Sequence, residues 1–400
     1  MGREMSDLKM MQALPLSVKI LLTKRRIRDW VNEYGIDGVY VSFSGGKDST
    51  VLLTIAREMH SDIKAVYVDT GLEYPEIRDF VRTWDNVEWL KPKMNFRRVI
   101  EKYGYPFISK EVSERVYYAQ KYLAWKREHG AVDKTGKPTV YGLSELLGLR
   151  SVVGRKRGLD IVNEINYETI NDCIKQSGAG TEKIRGLLGV AEKDGKKSPY
   201  NYEKYLWVAG APYPISSHCC DVMKKAPVHS YSKATGRLPI LGTMAVESRL
   251  RLSDWKKNGC NGFDMKSPRS MPMAFWTEQD VLQYIYRFGI KIAAVYGDVV
   301  VDGETEAIPG QLTLGDINTE WAKFNPDAPK LKTTGCKRTG CMFCGYGCHL
   351  EKPGEGRFEQ MKTTHPKQYE WIMKPWSEGG LGYREVIDWL NEHGNLNIRY

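Results

Sequence analysis

The sequence predicts an α/β fold: a doubly wound, mostly parallel sheet with a helical insertion and a Cys-rich C-terminal region. Three observations carry this. A β-branched and aromatic run, Val39-Tyr40-Val41, passes through Ser42-Phe43-Ser44-Gly45-Gly46 into helical periodicity at Val51, Leu52, Leu53, Ile55, Ala56 and Met59. A second apolar run, Ala65-Val66-Tyr67-Val68, follows, so the unit is strand–helix–strand and its strands run parallel. Four cysteines, Cys336, Cys341, Cys344 and Cys348, then crowd one short stretch.

Taken in order, residues 1–36 read as helical and basic. Leu14, Val18, Ile20, Leu21, Ile27, Trp30 and Val31 make a broken apolar stripe that Gly35 ends. Asp48, Ser49 and Thr50 suit the exposed first turn of the helix after the glycines. Asp69-Thr70-Gly71 falls at the carboxyl end of the second strand, where open α/β sheets bind ligands. A helix from Glu73 through Trp84, a strand at Val87–Leu90, and helices at Phe96–Tyr103 and from Glu111 to about Arg127 come next. The polar stretch 128–205, with helical pieces near Glu145–Leu149 and Tyr167–Lys175, reads as an insertion. Leu238 to Met244 returns as a strand that delivers Glu247, Arg249 and Arg251 to the same sheet edge. Thr277 then caps a helix at Val281–Phe288, and residues 297–330 read as a loop.

The glycine turn is an anion site. Backbone N–H groups at a helix start and the helix dipole both point into it, glycine lets an oxyanion approach, and Lys47 adds a positive charge. It is not a Walker A loop, because Val41 stands where the first glycine belongs and Asp48 follows the lysine. The string SFSGGKDST instead resembles the PP-loop of ATP pyrophosphatases, which cleave ATP between its α- and β-phosphates. Three regions are therefore expected: an N-terminal helical segment 1–36, a nucleotide-binding domain 37–295 holding the insertion, and a Cys-rich region 296–400.

A net charge of +10 and a pI near 9.0 make an electropositive protein, suited to a polyanionic nucleotide or a nucleic acid. Basic clusters occur at Lys24-Arg25-Arg26-Ile27-Arg28, Arg155-Lys156-Arg157 and Lys224-Lys225. With no apolar run of membrane-spanning length and no secretory signal pattern, a cytoplasmic protein without a membrane partner is expected.

Eight cysteines under these conditions point to metal rather than disulfides. Cys341-x-x-Cys344 and the adjacent pair Cys219-Cys220 supply four thiolates, enough for zinc or an iron–sulfur cluster. Zinc sites usually take two separated Cys-x-x-Cys pairs, so the adjacent pair tips the reading toward iron–sulfur. Cys336 and Cys348 are alternates or reactive thiols; Cys173 and Cys260 stand alone.

Together SFSGGKDST, DTGLEYPE, GYPFISKEVS, SSHCCDVMKKAP, GTMAVESRLR and TGCMFCGYG resemble the phosphoadenosine phosphosulfate (PAPS) reductase family, with an adenine nucleotide alpha-hydrolase-like fold. The resemblance implies that Ser44, Gly45, Gly46, Lys47, Asp48, Ser49 and Arg249 bind nucleotide phosphates. It also implies that Cys219, Cys220, Cys341 and Cys344 ligate a [4Fe-4S] cluster. Asp69 and Thr70, on the sheet's carboxyl edge, join the nucleotide-binding set. Two departures bear on function. Reductases of this family attack with a cysteine in a Glu-Cys-Gly-Leu-His segment near the C-terminus, whereas this sequence ends LNEHGNLNIRY. Sulfonucleotide reductases also carry altered loops, whereas SGGKDS is intact here, as in relatives that still cleave ATP.

The favoured expectation is an ATP pyrophosphatase-type enzyme that adenylates an acceptor for sulfur transfer, as in nucleic-acid thiolation. Lys47 would hold the β- and γ-phosphates, Asp48 would place Mg²⁺, and Arg249 would stabilise the α-phosphate. The expected partners are the nucleotide (ATP or PAPS), a nucleic-acid acceptor, a sulfur donor such as a cysteine desulfurase, and a second copy of the chain. One alternative is a sulfonucleotide reductase that uses Cys336 or Cys348 to produce sulfite. The other is a non-catalytic nucleotide-binding regulatory module.

Overall fold

The computed structural model describes residues 3–129, 181–188, 201–302 and 329–400. The helical pieces expected near 145–149 and 167–175, the basic run 155–157 and Cys173 lie outside them. The chain forms two compact units, Met1–Lys93 with Lys224–Cys341, and Met94–Met223 with Met342–Tyr400. It passes between them after residues 93, 223 and 341, rather than at the 36/37 and 295/296 boundaries expected. Among the described residues no helix is long and apolar enough to cross a membrane.

The first unit is built on the predicted sheet. Strands β1 (Val39–Ser42), β2 (Ala65–Val68), β3 (Val87–Leu90), β5 (Leu238–Leu241), β6 (Asn261–Gly262) and β7 (Arg269–Ser270) lie in the order β3-β2-β1-β5-β7-β6. All neighbouring pairs are parallel except β6–β7. The expected α/β fold, with its mostly parallel sheet, is the fold observed.

Strand periodicity sorts β1 between two faces. Val39, Val41 and Phe43 enter the core with Ile27, Trp30, Leu52 and Ile55. Tyr40, Ser42 and Ser44 line a cavity on the opposite face. That alternation aims the end of β1 at both packing and ligand.

The N-terminal helices run Met5–Gln12 and Leu16–Tyr34, separated at Pro15 and ended by Gly35 at φ +73°. Their buried stripe differs from the one read from the sequence. Leu21 is 67% exposed, while Lys19 and Thr23 are buried beside Ile27 and Trp30. Both polar residues have partners that lie far away in sequence. Lys19 Nζ donates to both carboxylate oxygens of Asp280 at 2.7 Å, and Thr23 Oγ1 accepts from Trp276 Nε1 at 2.9 Å.

The helix expected to begin at Val281 begins at Glu278, because Thr277 and Asp280 form a reciprocal capping box. The loop expected over 297–330 contains a strand, β8 (Val299–Val301), paired antiparallel with β9 (Leu331–Thr333). Three-residue strands fall below the length at which periodicity is readable.

In the second unit, β4 (Phe107–Ile108) pairs parallel with β10 (Gly345–Tyr346). Around this ribbon pack the helices Phe96–Tyr103, Lys110–His129, Arg357–Thr364 and Tyr383–Gly394. Tyr383 anchors the packing by donating from its hydroxyl to the Phe343 carbonyl at 2.7 Å.

Removing Lys19 strands the Asp280 carboxylate in the interior. Lys19→Ala should lower stability by roughly 3–5 kcal/mol, the usual cost of breaking a buried pair. Urea denaturation read by tryptophan fluorescence measures this, and an unchanged midpoint would show that the pair contributes nothing.

Candidate functional site

The site begins where β1 hands over to the helix Lys47–Met59. Gly45 has φ +71°, and a Cβ there would lie 2.7 Å from Val81 Cγ2 and 2.8 Å from Ile77 Cγ2. Only glycine fits. Ser49 braces the turn from inside: its Oγ accepts from Ser44 N at 3.2 Å and donates to the Gly46 carbonyl at 2.9 Å. Thr50 Oγ1 donates to the same carbonyl at 3.0 Å. Among the described residues, the N–H groups of Gly45, Asp48 and Ser49 meet no protein acceptor. Such unbonded donors at a helix N-terminus are what an oxyanion binds.

Lys47 is 3% exposed. Its Nζ lies 3.1 Å from Glu278 Oε1 and 3.6 Å from Asp48 Oδ1, and donates to the Lys337 carbonyl at 3.2 Å. Its backbone N–H donates to the Tyr296 hydroxyl at 3.2 Å, and that hydroxyl also pairs with Thr339 Oγ1. Residues 337–339 thus fasten over the loop. Burial raises the Asp48 pKa, against the opposing pull of Lys47 and Arg338.

The arginines that bear on this cluster are Arg251 and Arg338, both paired with Glu247. Arg251 is held below its ordinary pKa by burial and by Arg338, while Asp48 pulls it up. Arg249 starts the helix Arg249–Asn258; it is exposed and makes no hydrogen bond or ion pair among the described residues. Asp69 pairs with Arg78 at 2.9 Å and accepts from Gly71 N, while Thr70 is bound through N and Oγ1 to Glu73. Asp69 and Thr70 therefore shape the turn after β2. Glu278, Tyr296, Lys337 and Arg338 carried no motif signal, whereas Thr339 opens the TGCMFCGYG string.

A cavity of about 1020 Å³ opens beside the loop. Tyr40, Ser42 and Ser44 line one wall, Thr339 and Gly340 reach it from the overlying segment, and Lys224, Lys225, Lys233, Lys266 and Arg269 make it cationic. The volume is at the upper end of the ~300–1,000 Å³ usual for ligand pockets, and the lining suits an anionic ligand.

In the second unit, Cys219 and Cys220 end a short helix that continues as a π-type turn, Asp221–Lys225. Such turns recur at functional sites. The partly buried Tyr346 phenol lies within electrostatic reach of Cys219, Cys220 and Cys344, and its pKa rises through desolvation and then through the charge of those thiols. Arg357 Nη1 fixes the Cys344 carbonyl at 2.6 Å. Cys219, Cys220 and Cys344 are soft thiol donors of the chemical kind that ligates iron–sulfur clusters. Among the described residues no group of three His, Cys, Asp or Glu side chains is placed to hold a metal ion. Cys341 precedes Cys344 by three residues and ends the first unit.

Cys348 does not suit the nucleophile's role considered for it. It is 3% exposed, its Sγ donates to the Gly345 carbonyl at 2.8 Å, and burial pushes its pKa up to about 12. A thiol is nucleophilic only as thiolate. Cys336 is partly exposed near the Tyr74 hydroxyl, at 3.9 Å.

A mostly parallel sheet with a glycine turn and a buried lysine at a central strand is consistent with an adenine nucleotide alpha-hydrolase-like fold. Residues 38–126 match the family model of the phosphoadenosine phosphosulfate reductase domain. The chain is also 40% identical over 73 residues to an uncharacterised protein of Methanocaldococcus jannaschii. That alignment covers 17% of this chain and 18% of the relative.

Burial keeps the Cys348 thiol protonated at pH 8. Iodoacetamide at pH 8 should leave Cys348 unmodified in the folded protein and label it after denaturation, as read by peptide mass spectrometry. Rapid native labelling would overturn this assignment.

Proposed function

We propose that the chain is a PP-loop enzyme that binds ATP at Ser44–Ser49 and transfers its adenylyl group to an acceptor, which then receives sulfur. One observation carries the reading. The SGGKDS loop is intact and presents the unbonded N–H groups of Gly45, Asp48 and Ser49 beside a buried lysine.

An acceptor oxygen attacks the α-phosphorus, the bond to the β-phosphate oxygen breaks, and pyrophosphate leaves. The loop N–H groups and Lys47 take up the departing charge, which requires phosphate oxygens to replace Glu278 and the Lys337 carbonyl around Nζ. Arg251 and Arg338 are closer to this cluster's chemistry than Arg249 and are the better partners for the α-phosphate. Asp48 is the residue for Mg²⁺, which neutralises charge on the leaving group. The base and ribose fit the cationic cavity beside the loop.

Sulfur at the sulfide level is released as hydrosulfide when a thiol reductant cleaves the persulfide of a donor protein such as a cysteine desulfurase. It then attacks the adenylated atom of the acceptor, the bond from that atom to the AMP oxygen breaks, and AMP leaves. Cys219, Cys220, Cys341 and Cys344 would hold a [4Fe-4S] cluster, which supplies sulfur-binding and redox capacity when bound. Electropositivity favours a nucleic-acid acceptor. A second reading, sulfonucleotide reduction, would fall to Cys336, whose neighbour Lys337 touches Lys47.

Lys47→Ala should reduce pyrophosphate release from ATP by at least about 100-fold, the scale of losing one oxyanion partner, with the melting curve little changed. An unchanged rate would refute the assignment. Sulfite release from PAPS, abolished in Cys336→Ser, would instead favour reduction; tight nucleotide binding with no turnover would favour a regulatory module.

Burial disfavours the Asp48 carboxylate, so its proton is lost at higher pH than the ordinary 3.8. Carboxyl-carbon NMR of aspartate-labelled protein, assigned with Asp48→Asn, should show a midpoint above 3.8, with the charged form lost as pH falls through it. A midpoint at or below 3.8 would show that Lys47 and Arg338 outweigh burial.

A further inference from the structure

The second unit holds a smaller cavity that the nucleotide chemistry does not use. It measures about 370 Å³ and is lined by Lys102, Tyr103, Tyr117, Lys121 and Tyr213. Its rings are held in place by their neighbours. Tyr103 stacks on His218 with centroids 4.8 Å apart and planes 3° from parallel, and Tyr117 lies tilted on the same imidazole at 4.3 Å. Rings already fixed lose little further freedom when another ring stacks on them.

Positive charge flanks these rings. Tyr117 and Lys121 stand one turn apart on the helix Lys110–His129, and Lys102 Nζ lies 5.3 Å from the Tyr103 ring centroid. Among the described residues neither Lys102 nor Lys121 pairs with a carboxylate. Fixed aromatic faces beside unneutralised ammonium groups are what single-stranded nucleic acid requires: stacking for the base, charge for the phosphates. A paired base inside a duplex could not reach the rings. The pocket also adjoins the cysteine-bearing turn, since His218 immediately precedes Cys219.

We propose that this pocket receives a base of single-stranded nucleic acid, stacked on Tyr103 and Tyr117, with its flanking phosphates on Lys102 and Lys121. The inference rests on the adenylyl-transfer reading in that it supplies the class of acceptor that reading needs.

The test is fluorescence anisotropy of the full chain with a labelled single-stranded oligonucleotide, against the same sequence as duplex. Single strand should bind more tightly than duplex. Tyr103→Ala and Tyr117→Ala should each weaken binding by about 5- to 150-fold, the range for one base–aromatic stack, while the Phe variants stay near wild type. Replacing both Lys102 and Lys121 with Ala, surface changes that leave the core intact, should lower the slope of log affinity against log salt by about 1.4. ATP binding at the loop should be unaffected in every variant.

Equal binding of duplex and single strand, Tyr→Ala variants that bind like wild type, or an unaltered salt slope in the lysine variant would each overturn the proposal. Binding is read without turnover. A chain that releases no pyrophosphate yet binds single strand through these residues would refute the adenylyl-transfer reading and uphold the pocket.

Discussion

The close approach of the Gly45 backbone to Ile77 and Val81 constrains the rest of the first unit. A turn held this tightly, at a φ that side-chain-bearing residues rarely adopt, forces β1 to end and the helix at Lys47 to begin within a few residues. The cost of the turn is offset by the apolar packing of Val39, Val41 and Phe43 on one side of the strand. What it leaves exposed is a group of N–H donors with no acceptor among the described residues, and a folded chain rarely keeps such groups without a use.

Charge compensation follows from the same constraint. A lysine buried at the start of the helix must be neutralised, and here Glu278, Asp48 and the Lys337 carbonyl surround it. The Glu247 carboxylate similarly gathers Arg251 and Arg338. This cluster of opposite charges has the composition of a site in which incoming phosphates can exchange for carboxylates. Tyr296 joins the loop to Thr339, so that rearrangement at Lys47 bears on the segment leading to Cys341.

The glycine turn and the sheet were legible because each is encoded locally: strand period and glycine spacing lie within a few residues. The supporting shell was not. Lys47 reaches partners 249 and 290 residues away, and Lys19 one 261 residues away, separations that no local pattern encodes. Lys19 and Thr23 read as polar interruptions of an apolar stripe, and only the fold shows that Asp280 and Trp276 make them core residues. Arg249 and Arg251 have equal standing in sequence, yet the helix Arg249–Asn258 turns one to solvent and the other toward Glu247.

On the proposed function, the loop holds the phosphates so that the bond between the α- and β-phosphates breaks. Phosphorus NMR of ATP incubated anaerobically with the protein, Mg²⁺, a sulfur donor and single-stranded nucleic acid reads this directly. The expected products are AMP and pyrophosphate. ADP with orthophosphate, or ATP left unbound and intact, would contradict it.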